Sequence, residues 1–269
     1  MRTIYTPNEV NLHTHSFFCG HGSGQLTDYV KEAKQGSITL LGFTEHAPLP
    51  DESYSRSRMA YRELESYLDE CRTLQASEEE IKILTGLECD QLDDWYVYYR
   101  EDLKGSGKVD FLCGGVHFVD QTYVPYLEPT TKNLFAYTDD YTEMIRSLIF
   151  DYGVHPDLYC AFYQDWDKHA ILAAKSILEV AEAQKLPLEI NGNGMRKGLI
   201  ETPQGLRYPY PRKEFWELAA TYDVKVIANS DAHHPHELYA MRQELFDFAK
   251  ECGVKLSVIS LEDKEFFVL

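Results

Sequence analysis

The chain has 269 residues, 44% of them hydrophobic and 26% charged, with 16 Gly and 11 Pro. That is the composition of a folded protein with a sizeable core, and it excludes a disordered, collagen-like or low-complexity chain. Acidic residues outnumber basic ones 44 to 26, for a net charge of −18. Such a surface repels phosphate backbones and anionic headgroups, so the chain is expected to bind neither nucleic acid nor membrane, and a phosphate ligand needs a local positive site.

The first residues, MRTIYTPNEVNLHTHSFF, carry neither a long apolar run nor a small-residue cleavage site. No later stretch holds roughly 18 uninterrupted apolar residues. A cytoplasmic protein is expected. The six cysteines (Cys19, Cys71, Cys89, Cys113, Cys160, Cys252) stand singly with no Cys-x-x-Cys pair. This argues against a disulfide framework and a zinc ribbon and for reduced, buried thiols.

In chain order, seven short apolar runs rich in β-branched residues alternate with helical patterns. The runs lie near 10–15, 39–44, 82–88, 110–117, 151–155, 187–191 and 225–230, a βαβα rhythm that predicts a parallel sheet covered by helices. Helical spacing joins Leu26, Tyr29, Val30 and Ala33; Leu64, Tyr67, Leu68 and Cys71; and Leu238, Met241, Leu245 and Phe248. Gly36 and Gly253 stand where C-caps belong. With no linker, composition shift or repeat, 1–269 reads as one domain. Two segments break the rhythm: 119–150 is long for a loop, and 192–212 is dense in Gly, Pro and basic side chains.

The histidines cluster by position. His13 and His15 end the first run, with His21 in the loop just beyond; His46 follows the second, His117 ends the fourth, His155 the fifth, and His233 follows the last. Thus seven of the ten fall at or just past C-terminal strand ends, where barrel active sites are built. In His13-Thr14-His15 the imidazoles are two residues apart, so on a strand they share a face and can hold one cation together. Asp231-Ala232-His233 repeats the spacing, and Glu88 at the end of the third run supplies a carboxylate able to bridge two metals. Taken singly, His-x-His is common on exposed strands, His117 or His155 reads as a core or supporting histidine, and Asp231 as a helix N-cap. Nine ligand-type residues on six of seven strand ends is what those separate readings do not produce. His169 (placed mid-helix), His234 and His236 are assigned to the surface.

With these residues in view, His13-x-His15 with His21, Glu45-His46, Gly86-Leu87-Glu88, His117, His155-Pro156-Asp157 and Ser230-Asp231-Ala232-His233 resemble the polymerase-and-histidinol-phosphatase (PHP) family of metal-dependent phosphoesterases. The resemblance runs from about residue 10 to residue 237. HTHSFFCGHGSG, GFTEHAPLP and LEINGNGMRKG look like its histidinol-phosphate phosphatase branch.

The resemblance implies a distorted (β/α)7 barrel with three divalent ions: zinc, manganese or iron. His13, His15, Glu88 and Asp231 would hold the first ion; Glu88, His117 and His155 the second; His21, His46 and His233 the third. The implied activity is hydrolysis of a small phosphate monoester, L-histidinol phosphate, by a metal-activated hydroxide, with Glu88, Asp231 and His233 carrying the catalysis. The family usually has Asp before the second-strand His; Glu45 stands here, as an expected partner that positions His46.

Arg196 is the best-placed phosphate clamp by its planar fork, with Lys197 beside it and Arg56 and Arg58 as weaker candidates. No unliganded histidine stands out as the acid for the leaving group. A nucleotide phosphoesterase or exonuclease of the same family is the alternative enzyme, against which stand the charge and the lack of a basic, aromatic track. A regulatory module on a degenerate barrel would have lost ligands, and none is lost. Metal identity and oligomeric state are not legible.

Overall fold

The strands form where β-branched and aliphatic runs can be buried on both faces, which a parallel sheet under helices requires. The computed structural model describes residues 3–202, 204–262 and 265–269. The chain divides into two compact units: Met1–Cys113 with Asn229–Ala240 and Ser257–Leu269, and Gly114–Ala228 with Met241–Leu256.

The first unit carries β1 (Val10–Asn11), β2 (Leu40–His46) and β3 (Lys82–Asp90), parallel and side by side, with Leu40 opposite Val10 and Lys82 and with His46 opposite Glu88. Helices α1 (Leu26–Ala33) and α2 (Leu64–Ser77) are the crossovers, burying Leu26, Tyr29, Val30 and Ala33, and Leu64, Tyr67, Leu68 and Cys71. β4 (Phe111–Gly115) begins in this unit and ends in the second, where the order continues to β5 (Tyr152–Gly153), β6 (Leu188–Asn191) and β7 (Val226–Asn229). The sheet order therefore follows chain order through all seven strands. Seven strand-crossover units in that order give the α/β class and the distorted (β/α)7 barrel that the resemblance implies.

After β7 the chain re-enters the first unit and runs beside the residues that follow β1, through a parallel bridge between Thr14 and Ala232. Buried Asn11 and Asn229 fix this junction. Asn11 Nδ2 donates to Ser230 Oγ (2.6 Å), its Oδ1 accepts Ser230 N–H (3.2 Å), and Asn229 Oδ1 accepts Leu12 N–H (2.8 Å).

In the second unit the segment 119–150 holds a two-residue hairpin followed by α3 (Thr131–Arg146), so the length that reads as a long loop is largely helix. The helix escapes an aliphatic pattern because Tyr137, Thr138, Tyr141 and Thr142 make much of its buried face. The unit also contains α4 (Lys168–Gln184), α5 (Gly192–Arg196), α6 (Lys213–Ala219) and α7 (Arg242–Glu251). The helix expected over Leu238–Phe248 is interrupted: Leu238 closes a separate 3-10 turn, Met241 turns left-handed at φ 60°, and α7 starts after it. Gly253 is the expected left-handed cap, at φ 74°. Gly36 has another reason to be glycine, since a Cβ there would meet the Tyr239 ring at 2.4 Å. All six cysteines are free and buried, as expected. Among the described residues, no helix is long and apolar enough to cross a membrane.

Candidate metal centre

The strand ends of the first unit gather the ligand-type residues. His13 and His15 follow β1 on one face, both fully buried, with ring centroids 5.0 Å apart. His13 Nε2 and His15 Nε2 are 3.0 Å apart. Glu88 Oε2 lies 3.4 Å from the first nitrogen and 3.3 Å from the second, and Asp231 Oδ1 lies 3.6 and 3.3 Å from them. His46, last residue of β2, brings Nδ1 within 3.0 Å of the same Glu88 oxygen. Donors held at about 2.0–2.2 Å by one ion stand roughly 3–3.6 Å from each other, so the spacing of His13, His15 and Glu88 is that of donors sharing a divalent cation, with Asp231 within reach of both imidazoles.

His21 and His233 extend the group outward. Their Nε2 atoms are 3.1 Å apart, while His21 Nδ1 is 3.0 Å from the Cys19 carbonyl and His233 Nδ1 is 3.1 Å from the Asp231 carbonyl. Those carbonyl contacts fix which nitrogen faces the centre, the usual device for orienting a ligand histidine. Among the described residues of this unit, the donor atoms of His13, His15 and Glu88, and those of His21, His46 and His233, lie within 4.8 Å of one another. Asp231 sits at φ 49° and, in the second unit, His155 at φ 32°. Neither is glycine, and left-handed backbone at such residues costs about 1–3 kcal/mol each, a strain that collects at functional sites.

Electrostatics favour a positive charge here. Burial works against a charged His15, yet hydrogen bonds to Asp231 and Glu88 and their charges outweigh it and raise the imidazole to about 9. Burial would likewise raise Asp231, but the charge of His13 and the His15 hydrogen bond hold it well below the usual carboxylate range. Burial and the His15 charge push His21 down and His233 far down. In the metal-free protein, positive charge on these imidazoles stands where a cation would.

In the second unit His117 and His155 follow β4 and β5, their rings meeting edge to face with centroids 4.7 Å apart. His155 N–H donates to Glu189 Oε2 (3.3 Å), a fully buried carboxylate that also accepts Asn191 Nδ2 at 2.9 Å. An acidic residue inside the apolar run Leu188–Asn191 is the signal by which Glu189 is legible in sequence. Arg196 ends the short α5, half-buried, and Lys197 beside it is exposed. Gly194 is required by packing: a Cβ would lie 2.1 Å from the Tyr210 carbonyl.

Several sequence readings change. Glu45 does not serve His46; adjacent strand residues face opposite ways, and its Oε1 accepts Ser16 N–H (2.7 Å) and Ser16 Oγ–H (2.6 Å), pinning the turn between His15 and His21. Arg58 is no phosphate candidate at the surface but is buried against Asp90. His169 stands in the first turn of α4 rather than mid-helix, its N–H donating to Asp167. His234 is half-buried and bonded to Ser23, while His236 is exposed.

The PHP domain family matches residues 11–193. A histidinol-phosphatase of Bacillus subtilis (strain 168) is 29% identical over 254 residues, covering 82% of this chain and 92% of the relative. The crystal structure of histidinol phosphate phosphatase from Lactococcus lactis, complexed with Zn, L-histidinol and phosphate, superposes with a TM-score of 0.75 at 18% identity, covering 97% of this chain and 99% of that one. With the family matched over most of the chain and ligand-type donors gathered at its strand ends, the chain belongs to the PHP domain family.

Proposed function

We propose that the protein is a cytoplasmic phosphatase that hydrolyses L-histidinol phosphate to L-histidinol and phosphate. The observation that carries the reading is the convergence of His13, His15, His46, Glu88 and Asp231 donors at 3.0–3.6 Å. The substrate follows from the Bacillus subtilis relative, a histidinol-phosphatase by name, and from the Lactococcus lactis enzyme, whose structure holds L-histidinol and phosphate.

Three divalent ions are assigned, drawn from zinc, manganese and iron. His13, His15, Glu88 and Asp231 would hold the first, Glu88, His117 and His155 the second, and His21, His46 and His233 the third. When bound, such ions lower the pKa of water and withdraw charge from the phosphoryl oxygens. The chain's own residues set the conditions for that. Glu88 presents one oxygen to His13, His15 and His46 together, which makes it the hinge of the ligand set. Asp231 and His233, on the segment after β7, are brought to His15 by the Asn11 and Asn229 contacts. Imidazole ligands are neutral, so the loaded centre keeps its positive charge and attracts an anionic substrate to an acidic protein. Arg196 is assigned to the phosphate, where its planar fork gives paired hydrogen bonds, with Lys197 as a weaker contributor.

The test is phosphate release by metal-loaded protein from histidinol phosphate, nucleoside monophosphates and sugar phosphates in parallel. The reading expects histidinol phosphate to exceed the others in kcat/KM by at least about a hundredfold. Equal or greater turnover of a nucleotide overturns it.

A further inference from the structure

Arg58 lies on the long turn between β2 and α2, with its side chain only 2% exposed. Its Nη2 donates to Asp90 Oδ2 at 2.6 Å and its Nη1 to the Ala47 carbonyl at 2.9 Å. The guanidinium carbon stands 5.3 Å from the centre of the Tyr54 ring. A buried guanidinium needs such partners, because an unpaired charge there is costly.

The two anchor points are what make this arm more than a packing device. Ala47 directly follows His46, and Asp90 stands two residues beyond Glu88 on the same strand. The Ala47 N–H also donates to the Glu88 carbonyl at 2.8 Å. One rigid fork therefore spans the ends of β2 and β3 immediately past the two side chains whose donor atoms are 3.0 Å apart.

We propose that Arg58, through its paired contacts to Asp90 and the Ala47 carbonyl, is a positioning residue that sets the His46–Glu88 spacing and so the affinity of the centre for divalent metal. The inference rests on the reading of His46 and Glu88 as metal ligands. Lysine is not equivalent, since its ammonium is a single point on a flexible stem and lacks the planar fork that holds a carboxylate and a carbonyl at a fixed spacing.

The test is competition titration of metal-free protein with Zn2+ against a chelator, with thermal melts on the same samples. Wild type is compared with Arg58→Lys, Arg58→Met and the double variant Arg58→Met/Asp90→Asn, with Glu88→Gln as control. Arg58→Met removes the ion-pair partner of the buried Asp90 and is expected to lose stability, whereas the double variant removes both charges and is expected to recover it. Zn2+ affinity is expected to fall about tenfold or more in all three Arg58 variants, the double one included, because the fork is gone in each. A double variant, or Arg58→Lys, that melts like wild type and binds Zn2+ with wild-type affinity overturns the inference. Should the double variant not fold, Arg58→Lys decides alone. Should Glu88→Gln also bind Zn2+ as wild type does, the metal reading itself fails, a result separable from failure of the Arg58 role alone.

Discussion

Each unit buries a polar cluster at its strand ends, and the two are built on opposite plans. Around Asp157, Oδ2 accepts the Arg212 N–H (2.6 Å) and the Trp216 indole N–H (3.0 Å), while the Arg212 guanidinium is met by Glu214 and by the Gln164 carbonyl. The N–H donors there are each answered by an acceptor within the protein, although Asp157 Oδ1 makes no hydrogen bond of its own among the described residues. Around Glu88, imidazole nitrogens and carboxylate oxygens crowd to 3.0–3.6 Å, every one of them an atom type that ligates metals. A cluster matched by its own N–H groups joins loops together; a cluster that concentrates lone pairs is organised around a cation that the side chains do not supply.

The sharpest way to break this comparison is Glu88→Ala. One carboxylate is assigned to two ions, so turnover is expected to fall by about a thousandfold or more, roughly 4 kcal/mol, and further than for any single histidine change. A folded variant that keeps more than a few per cent of wild-type turnover with full metal contradicts the bridging role. Next in size is the stability contrast. Asp157→Ala strands two buried N–H groups and is expected to cost about 2–4 kcal/mol in denaturant unfolding. His21→Gln, which removes an imidazole held neutral, is expected in metal-free protein to change stability by less than about 1 kcal/mol, while removing much of the stabilisation that added metal gives. Equal losses in the two metal-free variants would erase the distinction.

How much of this was legible in the sequence depended on the kind of residue carrying it. The seven strands announce themselves as β-branched runs, and the ligand-type residues as polar side chains at the ends of those runs. α3 was hidden because its buried face uses Tyr137, Thr138, Tyr141 and Thr142, whose hydroxyls score as polar although each is buried. Glu45 was misread because sequence adjacency to His46 means the opposite strand face. The Arg58–Asp90 pair joins residues 32 apart. No local pattern reveals that such an arginine is inside, since isolated arginines are mostly exposed. The break at Met241 depends on a left-handed backbone that a methionine does not advertise.

Arg196→Ala separates substrate binding from the metal centre. Loss of a charge-assisted paired contact costs about 1.5–3 kcal/mol, so kcat/KM on histidinol phosphate is expected to fall about ten- to a hundredfold with metal content unchanged. Lysine in its place should restore only part. Wild-type kcat/KM in Arg196→Ala removes the assignment and turns attention to Lys197.

The smallest effect is a slope. His15 is raised to about 9 in the metal-free protein, so below that pH a proton competes with the ion for the same lone pair. Metal affinity is expected to rise as pH increases from about 6.5 to about 9, by up to about tenfold per unit, with proton release on binding. The charged His15 stabilises the metal-free fold fully below its unfolded value near 6.5, and that contribution fades as pH climbs through about 9. Zn2+ titrations at several pH values that show no slope and no proton release contradict a ligand role for His15.

The most direct measurement is elemental analysis of protein purified without chelators and then saturated with Zn2+ or Mn2+. The ligand sets assigned to His13, His15, Glu88 and Asp231, to Glu88, His117 and His155, and to His21, His46 and His233 predict about three divalent ions per chain. No more than one ion bound under saturating metal would contradict the three-ion assignment.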